Sequence, residues 1–224
     1  MRNSNRRSQL VALLLGVGLA LSGCGGGGDS SSPPPSSNPG PPVTPPPPPP
    51  AATVLPPLST TVQDVSDEHT IGVDHWADPQ TDGSPIGLFT CIVNPPQDYH
   101  VHAHLSIILN NEPLAVPRYI GASDVGTTHC FYPIHTHDRS GKIHVESTAA
   151  GTFTLGQLFE IWKQPLTNTN IAGISGLPIE VFVNDGGTVA KVEEADWTNI
   201  ELKDDRQITI ALGTTLTEIP VFTW

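Results

Sequence analysis

The chain has 224 residues, with 10 basic and 22 acidic side chains and a net charge of −12, an acidity that argues against nucleic acid as a partner. Fourteen of its 24 prolines fall between Pro33 and Pro57, which leaves Leu58 to Trp224 for folding. That is one ordinary domain, shorter than the roughly 200 residues or more of a (β/α)8 barrel and too rich in Val, Ile, Leu and aromatic residues for a disordered chain.

Residues 1–23 have the three parts of an export signal: Arg2, Arg6 and Arg7, an apolar run from Leu10 to Leu21, then small residues. The run is about 12 residues, where a membrane span needs about 20. Leu21-Ser22-Gly23-Cys24 resembles a bacterial lipobox, in which the cysteine becomes the lipidated first residue of the mature protein. The expected location is therefore outside the cytoplasm, in the periplasm or at the cell surface, with the membrane as a partner through lipid on Cys24. Removal of the signal leaves 7 basic against 22 acidic groups and no methionine. Residues 24–57 are mostly Gly, Ser and Pro, with six consecutive prolines at Pro45–Pro50. Such a segment builds no core and serves as a spacer, extended where it is proline-rich.

Cys91 and Cys130 remain after Cys24. In an oxidising compartment two remaining cysteines point to a disulfide, closing a loop of about 40 residues. The competing assignment makes Cys130 a metal thiolate beside His129.

Within the 58–224 domain, Ile86–Val93 is a short apolar run and a strand candidate. Val101–Leu109 alternates, with Val101, Ala103, Leu105, Ile107 and Leu109 on one face, and Asn110-Asn111 turns it into a hairpin with Pro113–Val116. Phe131–His137 and Lys142–Ser147 are two more strands, joined by a turn at Arg139-Ser140-Gly141. Thr154–Trp162 is the one clear helix: Thr154 and Gln157 fit a capping box, Leu155, Leu158, Phe159 and Trp162 share a face, and Pro165 ends it. Strands follow at 179–183, 189–192, 200–202 and 208–212. The order predicts an α+β fold, a mainly antiparallel sheet with one packed helix in a β-grasp-like roll. A small β-barrel is the alternative.

Seven of the nine histidines lie between His100 and His144. Side chains at i and i+2 of a strand share a face. His100, His102 and His104 therefore oppose the apolar face of their strand. His135 and His137 share a face, as do His144 and Glu146. Neutral imidazole is the commonest protein ligand for transition metals. The expected site is a divalent transition-metal centre on His102, His104, His135 and His137, with His144 as a fifth ligand and Asp138 or Glu146 as a further ligand or general base. His69, His75 and His129 stand apart from it. The lack of methionine disfavours a copper(I) carrier; Zn²⁺ and Cu²⁺ both suit an imidazole-rich site, and iron with a carboxylate ligand stays open. Familiar spacings fail. Asp138 comes one place early for the metallo-β-lactamase H-x-H-x-D, and the glutamate of a cupin is missing near Ile108 and Leu109.

His102-Ala103-His104-Leu105, Cys130, the run from His135 to Glu146 (HTHDRSGKIHVE) and Phe153-Thr154-Leu155-Gly156-Gln157 together resemble a family of exported bacterial and archaeal proteins of undefined function. The resemblance covers roughly residues 86–212 and implies only that these positions form one unit. Three functions fit the pattern: a membrane-tethered metal-binding protein, a metalloenzyme with an open coordination position, or a structural or adhesion module on a stalk.

Overall fold

The computed structural model describes residues 54–66, 68–125 and 128–224. The export signal, Cys24 and the linker up to residue 53 lie outside the described residues. In chain order the strands are β1 (Leu58–Asp64), β2 (Tyr99–Leu109), β3 (Glu112–Leu114), β4 (Ala122–Val125), β5 (Thr128–Phe131), β6 (Ile134–His135) and β7 (Lys142–Ser147). Helix α1 (Leu155–Trp162) follows, then β8 (Leu166–Thr167), β9 (Asn170–Ile171), β10 (Ile174–Ser175), β11 (Ile179–Asp185) and β12 (Thr188–Lys191). A 3-10 helix at Glu194–Asn199 precedes β13 (Gln207–Leu212) and β14 (Ile219–Thr223).

The main sheet runs β12-β11-β13-β2-β7-β6, with β3 also paired to β2. Its pairs are antiparallel except β13 with β2, which is parallel. The fold is thus α+β with a mainly antiparallel sheet, as expected. The sheets are open, so the barrel alternative is set aside. Alternation decides which face is dry. Ala103, Leu105 and Ile107 of β2, Ile143 and Val145 of β7, and Ile208, Ile210 and Leu212 of β13 form one core with Leu155, Leu158, Phe159 and Trp162 of α1. Helix α1 begins in the predicted capping box: the Thr154 amide donates to Gln157 Oε1 at 2.8 Å, and the Gln157 amide donates to Thr154 Oγ1 at 3.3 Å. It ends on Lys163 in the left-handed conformation, two residues before Pro165.

The other face of the sheet is only partly covered. A parallel ribbon of β1 and β14 lies over one end of it. Ile108, Phe182, Ala211, Leu216 and Ile219 form a second small core there. Gln207 fastens the ribbon: its Nε2 donates to the Phe222 carbonyl at 2.8 Å and its Oε1 accepts from the Phe222 amide at 3.0 Å. The rest of that face carries the histidines.

Three local expectations change. The 86–93 run makes only isolated bridges, Ile86 to Phe89 and Ile92 to Phe131 at the end of β5, and Cys91 bonds it to Cys130. The strand expected at 131–137 is broken at Tyr132-Pro133, where the chain leaves the β4–β5 ribbon for the main sheet. Proline has no amide to continue a ladder. Residues 200–202 make a single bridge, Glu201 to Thr154 at the start of α1, through Leu155 N to Ile200 O and Leu202 N to Phe153 O. The β1–β14 ribbon and the 3-10 helix had no predicted counterpart.

Candidate metal centre

Three strands bring the site together. In the register of β2 and β7, His102 is opposite His144 and His100 is opposite Glu146. In the register of β6 and β7, His135 is opposite His144. Residues directly opposite each other on an antiparallel pair share a face. His102, His144 and His135 therefore form one row across three adjacent strands, with His144 in the middle. His137 follows two residues beyond His135, and its ring meets that of His144 edge to face at 4.4 Å.

The strands are held in this register by local chemistry. The 139–141 turn places β7: Asp138 Oδ1 accepts from the Ser140 amide at 2.9 Å and from Ser140 Oγ at 2.6 Å. Gly141 has φ +90°, and a Cβ there would stand 2.2 Å from the Leu105 carbonyl oxygen. The His135–His137 segment is clamped from its other edge. Thr136, fully buried, donates from Oγ1 to the Pro117 carbonyl at 2.8 Å and accepts from the Ile120 amide at 3.1 Å. Arg139 adds an ion pair to Asp78 at 2.8 Å and another to Asp74.

The ring nitrogens converge. His102 Nε2 lies 3.1 Å from His144 Nδ1, and His100 Nε2 lies 3.3 Å from the same atom. His135 Nε2 is 3.2 Å from His137 Nε2. Glu146 is buried, and its Oε1 is 3.4 Å from His100 Nε2 and 3.8 Å from His135 Nε2. Ligand atoms of His135, His137, His144 and Glu146 all lie within 4.8 Å of one another, as do those of His100, His102 and His144. Two nitrogens on one tetrahedral ion at about 2.0–2.1 Å stand roughly 3.3–3.4 Å apart, close to these separations. A group of this kind can hold a metal ion. The His135 ring is also oriented from behind: Nδ1 donates to the Tyr132 carbonyl at 2.9 Å, which leaves Nε2 with its lone pair facing the cluster.

Four of the cluster's imidazoles, His102, His135, His137 and His144, are held neutral. Burial, then the neighbouring rings of His137, His102 and His135, pushes His144 down to about 2. Burial and His137 push His135 down to about 3. His102 and His137 are lowered as well, in both cases chiefly by burial. A neutral imidazole is the form that binds a metal.

Of the five expected histidine ligands, His135, His137 and His144 fall in one ligand group, and His102 joins His144 in the other. The expected convergence of the pair His102 and His104 on His135 and His137 is corrected: His102 reaches that pair only through His144, and His104 is in neither group. It shares the face, but the β1–β14 ribbon roofs it. Its ring stacks on Phe222 with centroids 3.7 Å apart, and its Nε2 donates to the Ser140 carbonyl at 2.8 Å. Burial pushes it down to about 3. Asp138 also stands outside both groups, its carboxylate holding the turn and the His69 amide. Glu146 joins the cluster. His100 was missing from the expected ligand set although it has the same strand phase as His102. The signal that finds it is register, since it faces Glu146. Cys130 is no thiolate ligand: it is bonded to Cys91, with an S–S distance of 2.00 Å and the Cα atoms 5.4 Å apart.

A groove of about 360 Å³ borders the cluster, lined by His137 together with Tyr119, Phe131, His129 and Glu68. Compared with protein-family models, with curated proteins and with solved structures, the chain matches none.

Proposed function

We propose that this chain is an exported lipoprotein, anchored to a bacterial membrane through Cys24, whose domain binds a divalent transition metal, zinc or copper, in the histidine cluster. The observation that carries the metal reading is the convergence of His135, His137, His144 and Glu146 within 4.8 Å, with the imidazoles held neutral. Three nitrogens and one carboxylate oxygen suit Zn²⁺ or Cu²⁺. The lipobox at Leu21–Cys24 carries the location. Residues 1–23 are the signal and residues 24–57 the tether that sets the domain off the membrane. The Cys91–Cys130 disulfide agrees with an oxidising compartment.

The test is metal analysis of the full-length protein, extracted from membranes in detergent without chelator. Tightly bound zinc or copper, lost in a His135→Ala/His137→Ala variant, supports the reading. Purification without metal, and failure to take up Zn²⁺ or Cu²⁺ afterwards, favours a structural module on a stalk. For the anchor, Cys24→Ser should leave an unprocessed precursor without lipid. A variant that still incorporates labelled fatty acid sinks the lipobox assignment.

The metalloenzyme reading is favoured by one observation, the groove beside His137. It requires a coordination position left free for water, and Glu146 as the nearest carboxylate for proton transfer.

A further inference from the structure

The ligand atoms of the cluster fall into two groups, and the only residue in both is His144. The first, His135, His137, His144 and Glu146, offers four donors, the number that closes a tetrahedral site. The second, His100, His102 and His144, offers three. A site of three protein ligands keeps a fourth position for water or substrate. His100 is exposed at the edge of this second group, whereas His135 and Glu146 of the first are buried.

The strand order explains why His144 serves both. It stands in the middle of a row, with His102 of β2 on one side and His135 of β6 on the other. Its Nδ1 is turned to the β2 side, 3.1 Å from His102 Nε2 and 3.3 Å from His100 Nε2. Its Nε2 is the ring's remaining donor. On the β6 side His135 Nε2 and His137 Nε2 form a close pair of their own at 3.2 Å. Each side thus has its own pair of nitrogens at the separation a tetrahedral ion needs. A proton on His144 Nδ1 is directed at one of its two neighbours; a cation shared by the three nitrogens satisfies both.

We propose that the cluster is a two-ion centre bridged by His144: one ion closed in by His135, His137 and Glu146, the other held by His100 and His102 with one position open to solvent. This rests on the metal-binding reading above and adds a second ion to it. Both nitrogens of His144 then bind metal, and the ring gives up its N–H proton to solvent. The ions stand about 6 Å apart, the sum of two metal–nitrogen bonds of roughly 2.0–2.1 Å and the span of the ring. The exposed ion is the exchangeable one, and the chemistry a metal-bound water can do belongs to it.

The full-length protein, stripped of metal in detergent, is titrated with Cu²⁺ alone, desalted, and analysed for metal content and by electron paramagnetic resonance. The expected result is two ions per chain with spin–spin coupling between them. His100→Gln/His102→Gln should retain one ion, with an uncoupled spectrum, and His100→Gln alone, at an exposed position, should weaken the second ion by at least about tenfold. Circular dichroism of each variant checks that it is folded. One ion per chain in the unaltered protein overturns the bridge and leaves the metal-binding reading standing. Two uncoupled ions, or two ions retained without His100 and His102, also overturn it. No ion in any form overturns both readings.

Discussion

His102 and His144 face each other on neighbouring antiparallel strands, with His102 Nε2 3.1 Å from His144 Nδ1. Most opposed pairs on a sheet are stabilised by packing or by opposite charge. Two neutral imidazoles gain little from either, and here a third and a fourth, His135 and His137, lie against the same His144 ring. Such an arrangement gives up stability in the metal-free protein while holding its donor atoms within 4.8 Å of one another in each group.

His144→Ala should therefore lower Zn²⁺ affinity by orders of magnitude, because it takes a donor from both ligand groups at once. His75→Ala, whose ring lies against Trp76 and belongs to neither group, should leave affinity within about threefold. Competition with a chromogenic chelator measures both. Equal losses in the two variants would deny His144 its central place.

Much of this site is legible in the sequence, and the part that is not has a physical reason. Alternation with a period of two fixes which face a side chain takes, so His102, His135, His137, His144 and Glu146 are found from phase alone. Phase does not say what covers that face. His104 has the phase of a ligand and the surroundings of a core residue, because β14 lies over it. The pairing of β14 with β1 joins residues near 60 to residues near 220, and no local pattern records it. Register is silent in the same way: phase puts His100 on the same face as His102, but that Glu146 lies opposite it follows only from the β2–β7 pairing. In the fold, the β2–Asn110-Asn111–β3 hairpin, β7, α1 and β13 follow from turn residues and apolar spacing. The broken strand at Tyr132-Pro133 signals itself through the proline, which the apolar run around it outweighed in the expectation.

His104→Ala should separate folding from binding. It removes a ring stacked on Phe222 and leaves the Ser140 carbonyl without its donor. Denaturant unfolding of the metal-free protein should show a loss on the order of 2–4 kcal/mol. The number of ions bound at saturation should not change. A variant that loses an ion while keeping its stability would return His104 to the ligand set.

Reduction of the Cys91–Cys130 disulfide should lower stability by about 3–4 kcal/mol, from the freedom regained by a loop with a sequence separation of 39. Neither cysteine is in a ligand group, so Zn²⁺ uptake by the reduced, still folded protein should match that of the oxidised form. Thiols protected from alkylation by added metal would contradict this.

Acid should destabilise the metal-free protein from near neutrality downward. His104 is held down to about 3 by burial, whereas a histidine in the unfolded chain titrates near 6.5. Between those values the unfolded chain binds the extra proton. The contribution is therefore complete above pH 6.5 and lost progressively as pH falls toward 3. It is on the order of a few kcal/mol. Unfolding of chelator-treated protein across pH 4–7 should show stability rising with pH, and His104→Gln should flatten the slope. A flat profile in the unaltered protein would contradict the buried, neutral state of this ring.

The most direct test of the account is X-ray absorption at the zinc or copper edge on the full-length protein after metal loading. Coordination by histidine nitrogens predicts nitrogen or oxygen scatterers at about 2.0–2.1 Å, the multiple-scattering features of imidazole rings, and no sulfur shell near 2.3 Å. The His135→Ala/His137→Ala variant should show fewer imidazole scatterers per ion. A first shell without imidazole, or one unchanged by that variant, would contradict the claim that this histidine cluster is the metal site.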